Sequence, residues 1–179
     1  MKKFMLIGVV LLVVSFPLYA LGPSFGIKGG FDKQSFEDLP LFIKTLPPLD
    51  CNDSLSKGWA SFGAIVELNI PLMPIGLRGE ANYAWSSAMD TTASDMNAII
   101  SAKFIVSPPL SPIGFYLGAG PSLHILKWGS ESKNCFGAQI YTGLNLKMGL
   151  NLFLEGGYGI MFPEEGSWSQ LSLKLGMML

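Results

Sequence analysis

The residues best suited to nucleophilic chemistry are Ser122 and His124. His124 is the sole histidine of the chain, and an imidazole beside a hydroxyl is the minimal arrangement for activating that oxygen. Two residues apart, both side chains share a face if the segment is a β-strand. A third group must orient the base, and Glu131 and Glu155 are the acids the sequence offers. An ordinary interior histidine explains the same pair. The other reactive side chains are Cys51 and Cys135, neither with a Cys or His neighbour at metal-ligand spacing, so a zinc site is not expected. No catalytic or cofactor motif stands out elsewhere, and the expectation is no cofactor, no metal and no catalysis.

Composition narrows the classes further. The chain has 179 residues, 49% hydrophobic and 14% charged, with a net charge of −1. That length suggests one domain. So much apolar surface argues against disorder, and the absence of a basic block argues against a nucleic-acid partner. The N-terminus reads separately. Lys2 and Lys3 precede an apolar run from Phe4 to Phe16, Pro17 ends it, and Leu18-Tyr19-Ala20 offers a small residue before a cut. This pattern predicts a secretory signal peptide over 1–20 and a mature domain over 21–179. Export makes a disulfide permissible, and the even cysteine count predicts one between Cys51 and Cys135.

The elements that must position these groups come from hydropathy with a period of two. The alternation predicts eight strands, at about Ser24–Phe31, Ala60–Ile70, Ile75–Trp85, Met96–Val106, Ile113–Ile125, Phe136–Met148, Leu152–Phe162 and Ser169–Leu179. Most are near the roughly 9–11 residues a tilted strand needs to cross hydrocarbon. One face of each is bulky and apolar. The other carries eight charges: Lys28, Glu67, Arg78, Glu80, Lys103, Lys147, Glu155 and Lys174. If that face points inward, these charges must pair with one another, and the alternative is a narrow ion pathway.

Side-chain size decides which face is inside. The polar face holds Gly26, Gly63, Gly118, Gly120, Gly143 and Gly157, while Phe, Leu, Ile and Met dominate the other. An eight-stranded bore is only wide enough for side chains to fill it, so the glycine-rich face belongs inside and the greasy one against lipid. The fold class expected is an all-β, eight-stranded antiparallel up-and-down transmembrane β-barrel. Links after strands 2, 4 and 6 read as short, those after 1, 3, 5 and 7 as longer, above all Asp32 to Gly58. The four tryptophans, Trp59, Trp85, Trp128 and Trp168, fall at or beyond the long-loop end, as in half of an aromatic girdle, with Trp59 set apart by its inward parity or a place in the loop.

With the eight segments and the signal peptide, the stretches Phe115-Tyr116-Leu117-Gly118-Ala119-Gly120 and Phe153-Leu154-Glu155-Gly156-Gly157-Tyr158 resemble the small outer-membrane barrel family. That family includes the OmpA membrane domain and the OmpX-like proteins. Members often end in an aromatic residue, whereas this chain ends in Leu179. The resemblance implies a bacterial cell outer membrane location, contact with outer-membrane lipids and lipopolysaccharide, and insertion by the barrel assembly machinery. It implies a structural or surface-interaction role without catalysis. A porin-like narrow channel is the alternative, and a lipid A-modifying barrel enzyme a further one. Deacylases of that kind carry Ser two residues after His, where this chain has Leu126. The loop 32–58 contains the apolar run Leu39-Pro40-Leu41-Phe42-Ile43, which suits either contact with a surface protein partner or a lid over the barrel mouth.

Overall fold

Residues that alternate between apolar and polar cannot satisfy both solvents in a flat sheet. The sheet therefore curls until its polar side is enclosed. A computed structural model describes residues 23–36, 58–70, 73–88, 91–108, 111–148, 150–163 and 168–179. Its strands are β1 (Pro23–Phe36), β2 (Trp59–Asn69), β3 (Ile75–Ala88), β4 (Thr91–Val106), β5 (Ile113–Trp128), β6 (Glu131–Met148), β7 (Leu150–Phe162) and β8 (Trp168–Met178). Each pairs antiparallel with the next, and β1 pairs with β8, so the barrel is closed. This is the transmembrane fold class expected from the alternation. Residues 1–20, the segment read as a signal peptide, lie outside the described residues, as does Cys51.

The register puts the predicted faces where parity placed them. In β2, Ser61, Gly63, Ile65 and Glu67 turn inward while Phe62, Val66 and Leu68 turn out. Ile100, Phe136 and Leu175 are 71%, 73% and 63% exposed. Such a surface is unfavourable in water and suits a hydrocarbon environment. Closure leaves no unpaired strand edge, as a hydrocarbon layer requires.

The strands overrun their expected ends, almost entirely on the side away from the termini. β1 continues through Asp32–Phe36, β4 begins at Thr91, and β6 begins at Glu131. These extensions are polar on both faces, so hydropathy alternation fades there although strand pairing continues. The loop-length asymmetry is corrected accordingly. β3 and β4 are separated only by residues 89–90, and β5 and β6 only by Gly129-Ser130. Gly129 has φ 59°, the left-handed conformation that a tight two-residue hairpin requires. Only the link between β1 and β2 is long, and the run Leu39–Ile43 within it lies outside the described residues. The tryptophan reading is corrected at Trp168, which is buried in the bore, while Trp59 is buried as its inward parity implies. The outward aromatic cluster is Phe62, Tyr83 and Trp85, with ring centroids 5.8–5.9 Å apart.

Candidate functional site in the barrel bore

The bore is layered. At the end near the termini, Ile65, Phe153, Met178, Tyr116 and Tyr141 form an apolar and aromatic plug. Glycines make room for it: a Cβ on Gly118 would overlap the Tyr141 ring, and one on Gly143 the Tyr116 ring. The expected glycine-rich interior is therefore not empty, because aromatic side chains from neighbouring strands fill the space.

The ionic cluster packs against this plug. Arg78 is its hub. Its Nε lies 2.6 Å from Glu80 and 3.6 Å from Glu67, and its Nη1 lies 2.5 Å from Glu155. Lys28 bridges Glu80 at 2.5 Å and Glu155 at 3.1 Å. Lys103 closes on Glu67 at 2.6 Å. The Arg78 guanidinium also lies 4.7 Å from the centroid of the Tyr141 ring, and Lys103 Nζ lies 4.2 Å from that of Tyr116. Tyr116 donates to Glu155 at 3.0 Å. Lys174 reaches Asp32 at 3.5 Å. Seven of the eight charges read from the sequence are thus buried and paired. Lys147 is the exception and a correction: it has inward parity but sits exposed at the end of β6, where the strand has left the enclosed bore. Asp32 and Asp95 are the members that sequence reasoning missed. Asp32 had been placed in a loop, and Asp95 lay just before the predicted start of the fourth strand.

Asp95 changes the reading of His124. Its Oδ2 lies 3.0 Å from His124 Nδ1, and Ser122 Oγ lies 3.0 Å from His124 Nε2. The three form an acid, imidazole and hydroxyl relay with the connectivity of a hydrolase triad. Neither Glu131 nor Glu155 takes the orienting role. The signal was present in principle: if Asn97 faces His124 across β4 and β5, as it does, Asp95 falls next to it on the same face. All three side chains point into the bore and are 0–4% exposed. Asp95 also accepts from Asn97 at 3.2 Å, and Asn97 accepts from Asn82 at 2.9 Å. Asn82 in turn donates to Glu80 at 3.3 Å. The relay is one end of a hydrogen-bond chain rooted in the ionic cluster.

Cys135 lies within β6, opposite His124, buried and facing inward, and forms no disulfide among the described residues, its predicted partner Cys51 lying outside them. Among the described residues, no three His, Cys, Asp or Glu side chains converge as metal ligands.

No family model matches this chain, and no curated protein sequence matches it significantly. Solved structures do. The chain is similar to Neisserial surface protein A, with a TM-score of 0.70 at 16% identity over 88% of this chain and 96% of that one. It is similar to Ail, the attachment invasion locus protein of Yersinia pestis, with a TM-score of 0.52 at 12% identity over 87% and 98%. It also resembles the outer membrane enzyme PagL, with a TM-score of 0.50 at 10% identity over 87% and 98%. At these identities the likeness is one of fold: a small eight-stranded outer-membrane barrel.

Proposed function

We propose that this chain is a non-conducting, non-enzymatic barrel of the bacterial outer membrane whose role is structural or lies in contacts at the cell surface. The termini and the short links 70–74, 107–112 and 149 face the periplasm, and the strand extensions project outward. Its outward face is solvated by membrane lipid, with Phe62, Tyr83 and Trp85 at the level of outer-leaflet lipopolysaccharide. Insertion falls to the barrel assembly machinery, and the loop read over 32–58, of which residues 32–36 belong to β1, is the segment proposed to meet a surface protein partner.

One observation carries the reading. The ionic cluster and the aromatic side chains packed against it are closed to solvent, with Arg78, Tyr141 and Glu155 at 2%, 1% and 1% exposure. An ion crossing this section must break several buried charge pairs at once. In planar bilayers the folded protein is expected to give no conductance steps above background. Well-resolved unitary steps from the purified barrel, lost on denaturation, would establish the channel reading instead.

The geometry of Ser122, His124 and Asp95 favours a second reading, an acyl hydrolase, and it has its own test. A lipid-cleaving serine must meet lipid, but Ser122 faces the bore and is 4% exposed. A fluorophosphonate probe is therefore expected to leave Ser122 unlabelled in the folded protein. Labelling abolished by Ser122→Ala and by His124→Ala would convert this barrel into an enzyme.

A further inference from the structure

The rim of the barrel nearest the termini is short of charge. Met73, Val106, Met148, Leu150 and Leu179 are exposed there. Among the described residues of that end, Lys147 is the only exposed charged side chain, and it makes no ion pair with another described residue. Its place is fixed from the backbone. The Lys147 N–H donates to the Pro112 carbonyl at 2.7 Å, which ties this end of β6 to the link between β4 and β5. A lysine held at the edge of a greasy wall keeps its methylenes on apolar surface and its ammonium in water.

Directly beside Lys147 the outward face is hollowed. Ile113, Leu146 and Leu152 form one row across β5, β6 and β7, and Leu144, Leu154 and Leu175 form the next row in, across β6, β7 and β8. These six side chains line an open groove of about 340 Å³ whose walls are almost entirely carbon. From Lys147 it follows β6 for three residues to Leu144, roughly 10 Å at about 3.3 Å per residue. Two other hollows of the outward face, around Ala102 and Ala138, have no exposed charge beside them. Apolar walls open to hydrocarbon accept an acyl chain, but they do not choose one lipid over another. The cation at the end of the groove does. It attracts a phosphate at the membrane boundary, and the first methylenes below that phosphate then fall among Ile113, Leu146 and Leu152.

We infer that this groove holds one glycerophospholipid, with its phosphate on Lys147 and the upper part of one acyl chain between the two leucine rows. With the termini on the periplasmic side, that lipid belongs to the inner leaflet. The inference rests on the proposed membrane placement of this wall. A chain that folded in plain buffer would overturn both, whereas a detergent-folded barrel that selects no phospholipid would overturn the inference alone. An exposed contact of this kind adds little to folding, so lipid retention reads it and unfolding does not.

The experiment is native mass spectrometry of the detergent-folded full chain titrated with dimyristoylphosphatidylglycerol and, separately, with dimyristoylglycerol, which keeps the chains and lacks the phosphate. One phosphatidylglycerol is expected to be retained per barrel before a second adds. Dimyristoylglycerol is expected to bind about fivefold or more weakly, the order of effect of one cation near a lipid phosphate. Lys147→Glu is expected to abolish that preference and Lys147→Arg to keep it. Leu146→Trp, which fills the mouth of the groove, is expected to lower retention of both lipids, and Val66→Leu, on the outward face of β2, to change neither. The heat-dependent gel shift of an intact barrel reports folding of each variant, and Lys147→Gln replaces the charge reversal if that variant does not fold. Equal retention of the two lipids, or a preference that survives the loss of the Lys147 charge, would overturn the inference. A run of adducts with no separated first step, the pattern of ordinary lipid solvation, would also overturn it.

Discussion

Arg78→Ala is expected to destabilise the folded barrel by about 3–5 kcal/mol, the usual cost of removing one partner from a buried ion pair. The size of the effect follows from position. Arg78 is 2% exposed and faces Glu67, Glu80 and Glu155 together. Without it, Lys28 and Lys103 must compensate three carboxylates, and water has poor access to help. The guanidinium also packs over Tyr141, so the substitution leaves space as well as charge. Lys147→Ala is the matched control. Its parity is also inward, but its side chain is exposed, and surface substitutions of this kind usually stay within about 0.5 kcal/mol. Denaturant unfolding of both variants in the same detergent or lipid, followed by the gel shift of the intact barrel, measures the difference. Equal midpoints for the two would mean that the cluster does not hold the bore together.

The second large effect lies on the opposite face. Ile100→Arg is expected to cost about 2–4 kcal/mol in a bilayer, as for an arginine near the midplane of a lipid-facing barrel wall. Ile100 is 71% exposed, near the middle of the paired length of β4, opposite Gly79. In a water-soluble barrel the same change would be neutral or would improve solubility. Folding into phospholipid vesicles, with unfolding followed in urea, distinguishes the two. Retained stability of the Ile100→Arg barrel in lipid would contradict the assignment of this face to hydrocarbon.

The sequence carried the strands and their faces because a pleated chain has a rigid period of two, and a bilayer enforces that period on every segment it touches. Val66 and Glu67 are adjacent in sequence and end on opposite sides of the wall, as the alternation of apolar and polar residues along the strand requires. Depth and register are different matters. Lys147 has the same parity as Lys103, yet only Lys103 is enclosed, because distance along a tilted strand decides enclosure and parity does not report it. Asp32 and Asp95 were missed for the converse reason. They lie in extensions where both faces are polar, and there the hydropathy signal vanishes while hydrogen-bonded pairing persists. The Asp95–His124 contact further depends on Asn97 standing opposite His124, a fact of strand alignment that one sequence does not print. The apolar plug was half visible: Tyr116, Tyr141 and Phe153 all have inward parity. Their fit against Gly118, Gly143 and Gly176 required the neighbouring strands to be laid side by side.

The β1–β8 seam and the long-range ion pairs bear on how the polypeptide is made. Lys28 must wait for Glu155, which follows it by 127 positions, and Arg78 for the same carboxylate, 77 positions later. A nascent chain that stops before β7 therefore holds two cations whose shared counterion has not been synthesised, and two strand edges with nothing to bond. No half-barrel is a comfortable resting point. Closing the barrel and pairing these charges are therefore expected to happen together.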